Sequence, residues 1–402
     1  MAQRSLLAIV LLTACTSTAS PATTQPESTT TVPAGRQAGR IVVDAGDAAY
    51  TVAPDGTGRA DLDEAVPASQ PTWSRDGTRL VWTAGSAGSP QVAVGVPGSV
   101  ERLVDAPFTP FYYSWDPTSQ RVAMLGNGQT GTIELAVLDT GDGSVLGMDG
   151  GAPYYFDWSP GGEEIVAHVG QASLRILGLD GTVRFSEQSE GLYQAPQWTE
   201  AAMFWQDDAP SRVTARGAGR LVQAADGQAI FFGDPSTGER EIIARPNGFS
   251  LFEMGGERLA YLDRGSGLGG SLWLAADDVP ELLNDRPVLA FQWNPQSTRL
   301  AWLQLVAGDE PLAQWVVWED GVATGFEPHR PAPGFVNRYL PFWDQYSRSL
   351  TIWSPQGDAF VYATDDPDDG PTVFIQSVDA GSAPQRIGPG EFASWGPATL
   401  TP

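Results

Sequence analysis

Residues 73–80 read WSRDGTRL, and close variants return as WDPTSQRV from Trp115, WSPGGEEI from Trp158, WNPQSTRL from Trp293 and WSPQGDAF from Trp353. In each, a Trp opens a polar turn, and an apolar residue seven positions later opens a strand: LVW, VAM, IVA, LAW and FVY. Looser copies fill the gaps. FEMGGERLAYL keeps the offset with Phe252 in the Trp position, QWTEAAMFW has Trp198 before a shortened turn, and FASWGP places Trp395 in the same role. The eight positions Trp73, Trp115, Trp158, Trp198, Phe252, Trp293, Trp353 and Trp395 recur at roughly 40-residue intervals, stretched in two places, a period typical of repeat architectures. They take up half of the 14 Trp residues.

Each interval holds further strand signals. After Trp115 come VAMLG, TIELAVLD and SVLGMD, separated by Gly- and Asp-Gly-type turns. The unit is four short antiparallel strands, which cannot bury both faces alone and must pack on its neighbours. The expected fold is therefore all-β, a β-propeller of four-stranded antiparallel blades, with the repeated Trp wedged between blades. Residues 39–64 supply three strands without a first, and the segment around Trp395 supplies a first strand without the other three. Joined, they complete a blade and close the ring. Eight blades are expected, with seven as the alternative because the 198–252 interval carries one strand candidate too many.

The W-S-x-D/P-G-x-x-L/I repeat with its DG-turn hairpins resembles TolB-like (WD-repeat-like) propellers, over nearly all of residues 39–402. The resemblance implies a fold more than a function, because such propellers accompany translocation factors, peptidases, lyases and lipoproteins.

Composition narrows the function. The 402 residues carry a net charge of −25, and all 23 basic residues are Arg. A general nucleic-acid binder needs a basic face, so none is expected here. One Cys excludes a disulfide framework and a thiolate zinc site, and two His, His168 and His329, leave little for imidazole chemistry. No cofactor is expected, and the 265–271 stretch GSGLGGS does not make a nucleophile elbow.

The lone Cys has a specific setting. Residues 1–14, MAQRSLLAIVLLTA, have a positive start and a short apolar run, and Cys15 follows small residues. This resembles the lipobox of bacterial lipoproteins, which implies a signal peptide over 1–14 and lipid attachment at Cys15. Residues 15–38 are rich in Ser, Thr and Pro and read as a tether, leaving 39–402 as the propeller. The expected location is the extracytoplasmic side of the cell membrane, with the chain held there through its lipid.

Two regions are candidate sites. The connection FEPHRPAPGFVNRYLPFWDQYSRSL, between Gly325 and Thr351, crowds together Phe335, Tyr339, Phe342, Trp343, Asp344 and Tyr346. A connection this long is functional or self-packing, so it reads as a ligand patch, a plug over the channel, or both. The acidic run Asp365, Asp366, Asp368 and Asp369 is a Ca²⁺ candidate, although EF-hand spacing is absent. The expected function is non-catalytic: a monomeric binding or scaffold module for an envelope protein or polysaccharide. The competing class is a carboxylate-based glycoside hydrolase or lyase acting on surface glycan.

Overall fold

In the computed structural model, residues 39–398 are described apart from 63–66, 87, 129–130, 171–172, 189–194, 210–211, 215–220, 224–226, 249, 264–268, 277–278 and 309. The signal, lipid and tether assignments over 1–38, Cys15 included, lie outside the described residues.

The repeat folds into eight blades among the described residues. Blade 1 is Ser69–Trp73, Leu80–Ser86, Ser89–Val96 and Ser99–Asp105, and blade 2 is Thr109–Trp115, Arg121–Asn127, Ile133–Asp139 and Val145–Gly151. Blade 3 is Tyr154–Trp158, Glu164–Val169, Ser173–Gly178 and Val183–Gln188. Blade 4 is Gln197–Trp198, Met203–Ala209, Gly227–Asp234 and Glu239–Ala244. Blade 5 has Phe252–Gly255, Arg258–Asp263 and Gly270–Ala275, blade 6 has Arg299–Leu305, Ala313–Glu319 and Val322–Gly325, and the two share one long strand, Glu281–Trp293, the outermost of the first and the innermost of the second. Blade 7 has Ala359–Asp366, Gly370–Ser377 and Gln385–Pro389, with Trp353 bridged to Phe360 on the inner side.

Blade 8 is composite. Phe392–Trp395 pairs antiparallel with Ile41–Asp44, Ile41 opposite Trp395, and Ala49–Val52 and Ala60–Asp61 follow outward. The two ends of the repeat region thus join in one sheet, removing the inner edges a broken ring would expose. The surplus strand signal in the fourth interval is a separate hairpin, Arg212–Thr214 paired with Leu221–Gln223, inserted between the second and third strands of blade 4.

The motif has a physical reading. The residue after the Trp caps the first hairpin: Asp116 accepts from the backbone N–H of Gln120 and Arg121, and Asn294 from those of Thr298 and Arg299. Ser159 and Ser354 do the same with a hydroxyl. Four residues after the Trp the backbone turns left-handed, at Gly77, Gly162 and Gly357 but also at Ser119 and Ser297. Glycine is the residue that adopts this conformation without steric cost.

The Trp indoles link blade to blade. Trp115 donates to the carbonyl of Thr72, Trp158 to Ser114, Trp293 to Glu253 and Trp353 to Gln292, all at 3.0–3.2 Å. In blade 5 the expected assignment shifts. Met254, not Phe252, lies opposite Leu259, as Trp293 lies opposite Leu300. The hairpin there is two residues shorter, so the same sequence offset lands on a different pairing, and Phe252 is a buried residue two positions before Met254, opposite Tyr261.

Candidate functional site

The connection from blade 6 to blade 7 runs inside the ring. It folds as three consecutive helical turns, Phe335–Tyr339, Leu340–Phe342 and Trp343–Tyr346, and its polar groups are matched to every blade. Tyr339 donates to Asp44 of blade 8 at 2.5 Å, and Ala332 N–H to the Ala363 carbonyl of blade 7. Trp343 donates to the Phe291 carbonyl of blade 6, and Tyr346 to the Phe111 carbonyl of blade 2. The Gln345 amide both accepts from and donates to the backbone of Phe156 in blade 3. Asp344 accepts from Ala195 N–H ahead of blade 4, Arg348 donates to Phe252 O in blade 5, and Arg75 at the end of blade 1 donates to Arg348 O. This segment is a plug.

Hydrogen bonds to every blade fix the position of this segment, since breaking them would leave buried polar groups unmatched at a desolvation cost. Ring contacts add to it: Tyr339 stacks on Phe392 at 4.0 Å between centroids, and Tyr112 meets Tyr346 edge-on at 5.3 Å.

Two cavities touch the plug, one at each end. The first, about 280 Å³, opens at the mouth, where the second and third strands of blade 2 connect. Its wall is mostly apolar, with Phe111, Leu125, Ile133, Pro153, Tyr154 and Phe342. The second, about 450 Å³, lies at the foot, beside the turns that follow the repeated Trp residues. It is lined by Arg75, Asp157, Trp158, Trp198, Glu253 and Arg348.

The foot has distinctive electrostatics. Burial pushes Glu253 up to about 8, against the pull of the Arg348 guanidinium, and its one backbone contact, from Trp293 N–H, is long at 3.4 Å. Burial also raises Asp157, with Arg348 opposing. Both Asp157 oxygens are occupied, accepting from Trp158 N–H at 2.9 Å and from Trp198 N–H of the next blade at 2.8 Å.

Of the six candidate aromatic-patch residues, Phe335, Tyr339, Trp343, Asp344 and Tyr346 are buried and hold the plug in place. Phe342 alone is well exposed, at 49%. The acidic run is differently disposed from a metal site. Asp366 turns inward to cap the N–H groups of Asp368 and Asp369, and Asp369 pairs with Arg386 at 3.0 Å. Among the described residues no group of three or more His, Cys, Asp or Glu is placed to hold a metal ion, so the Ca²⁺ candidate is not supported. His329 packs on Tyr362, and burial drives it down to about 4. Sequence reasoning missed Gln345, Asp157, Glu253 and Arg75. For Asp157 the available signal was an acidic residue immediately before the repeated Trp; Glu253 precedes Met254, which the sequence offset did not single out.

No protein-family model matches the chain, and no curated protein matches it. Solved structures do. The chain is similar to a eukaryotic initiation factor structure at 11% identity, covering 91% of this chain and 100% of that one, with a TM-score of 0.55. It is similar to the C-terminal WD40 domain of Sif2 at 9% identity, covering 85% and 90%, TM-score 0.50. TolB from Acinetobacter baumannii is matched at 14% identity over 73% and 64%, TM-score 0.41. At such identities the likeness concerns fold alone: the chain has the β-propeller fold.

Proposed function

We propose that the chain is a lipid-anchored, extracytoplasmic binding or scaffold module that meets an envelope protein or polysaccharide at its plugged mouth. The observation that carries this reading is the plug. A central channel filled by a segment bonded to all eight blades is not an open funnel for substrate, whereas its mouth keeps an aromatic-walled pocket with Phe342 exposed beside it. Exposed aromatics at a rigid rim are the residues that dominate binding interfaces. The membrane location rests on the lipobox-like sequence ending at Cys15, and no helix among the described residues is long and apolar enough to cross a membrane.

The alternative is an enzyme acting on glycan through channel carboxylates. Its one supporting observation is that Asp157 and Glu253 line the same cavity. With both Asp157 oxygens committed to backbone N–H groups, Glu253 stands alone there, and binding is the better reading.

Affinity capture from the native envelope tests it, comparing wild type with Phe342→Glu. Loss of the recovered component from the variant is expected; equal recovery refutes docking at the mouth.

A further inference from the structure

The foot cavity has no part in the proposed docking at the mouth, yet four charged or titratable side chains, Arg75, Asp157, Glu253 and Arg348, line it. Two guanidinium groups face it, and neither Arg75 nor Arg348 forms an ion pair within 4.0 Å among the described residues. Arg348 is only 9% exposed. Its Nη2 donates to the carbonyls of Phe252 and Ala195, while Nε is buried with no hydrogen-bond partner. A desolvated guanidinium with carbonyl partners only is an incomplete arrangement, since buried cations are ordinarily matched by an anion.

We propose that this cavity binds a small organic carboxylate, with its anionic end between Arg75 and Arg348 and its body against the indole of Trp198.

The charge count favours a monoanion. Asp157 contributes one negative charge but spends both oxygens on backbone N–H groups. Glu253, kept protonated by its burial at neutral pH, contributes none and has an O–H to donate. Two guanidinium groups against one carboxylate leave a single positive charge, which one carboxylate neutralises. A dianionic phosphate would leave an excess charge facing Asp157. Guanidinium–carboxylate pairing also supplies charge-assisted hydrogen bonds, the strongest available in such a pocket. About 450 Å³ admits a molecule with one ring. Trp198 is partly exposed at the wall and presents an apolar surface for that ring.

The groups facing Glu253 across the cavity are Arg75, Arg348 and Asp157, and of these none but Asp157 is a carboxyl. Ionisation of Glu253 would cancel the surplus charge, so carboxylate affinity should fall as pH rises past about 8.

Isothermal calorimetry with benzoate as the probe tests the proposal on the full chain, with benzyl alcohol as the neutral match and inorganic phosphate as the competing anion. Saturable benzoate binding at pH 7 is expected, weakened about tenfold or more at pH 9.5, with no comparable binding of benzyl alcohol or phosphate. Glu253→Gln should bind benzoate at both pH values alike, and Arg75→Gln should lose it. Absence of benzoate binding, equal binding of benzyl alcohol, or preference for phosphate would each overturn the proposal. Those three comparisons use the wild-type chain and do not depend on any variant folding.

Discussion

The phenol of Tyr339, in the plug, donates to the carboxylate of Asp44, in the strand that closes the ring, at 2.5 Å. Asp44 is 1% exposed; it also accepts from Gly46 N–H at 2.8 Å and pairs with Arg338 at 3.6 Å. A buried carboxylate needs such partners. The plug and the ring closure therefore stabilise each other through one side chain, and the segment that fills the channel is part of the fold.

Tyr339→Phe keeps the stack on Phe392 and removes this donor. The variant should lose about 1–3 kcal/mol of stability, read as a lower urea midpoint at unchanged slope. A midpoint equal to wild type would show that the plug contributes nothing to holding the closure.

The closure itself is tight. A Cβ at Gly39 would stand 2.1 Å from the Gly396 carbonyl oxygen, whereas one at Gly147 would meet nothing within 4 Å. Gly39→Ala should lower the thermal midpoint by several degrees, equivalent to about 1–3 kcal/mol, and Gly147→Ala should leave it near wild type. Equal midpoints for the two variants would contradict a ring joined at this point.

Glu253 gives a pH signature. Unfolded, it titrates near 4.5; folded, burial places it at about 8. Between those values the folded chain retains a proton that the unfolded chain has released, so this residue's contribution to stability falls as pH rises through the window and levels off above about 8. Glu253→Gln should match wild type at pH 4 and exceed it by roughly 1–3 kcal/mol at pH 8.5. Denaturation curves at the two pH values check this; an equal difference at both would count against a buried, protonated Glu253.

Fatty-acid labelling tests the anchor. Wild type should take up a radiolabelled fatty acid, and Cys15→Ala should not, with the variant shifting from the membrane to the soluble fraction of the envelope. Label retained in Cys15→Ala would remove the anchoring proposal.

The blade pattern was legible because it is local. The Trp, the capping Ser, Asp or Asn after it and the left-handed residue at Gly77 or Ser119 lie within five residues of one another, and each acts through a turn of a few residues. Blade 5 was misregistered because a sequence offset counts residues, whereas a hairpin counts pairs: shortening the turn moved the partner of Leu259 from Phe252 to Met254. The aromatic crowding of residues 335–346 announced a special connection. It could not announce that Gln345 would meet Phe156, 189 residues away, or that Arg348 would meet Phe252. The foot cavity was least legible of all, since Arg75, Asp157, Glu253 and Arg348 come from four separated segments that only the closed ring brings together.

The central claim is that the propeller engages its partner at the plugged mouth, beside Phe342. Site-specific photo-crosslinking in the native envelope tests it most directly, with the photoreactive residue placed at Phe342 and, in a second chain, at Val322. Both positions are exposed, at 49% and 65%, but Val322 lies on the outermost strand of blade 6. A discrete adduct from position 342 and none from position 322 is the expected result. The same adducts from both positions, or none from position 342, would contradict it.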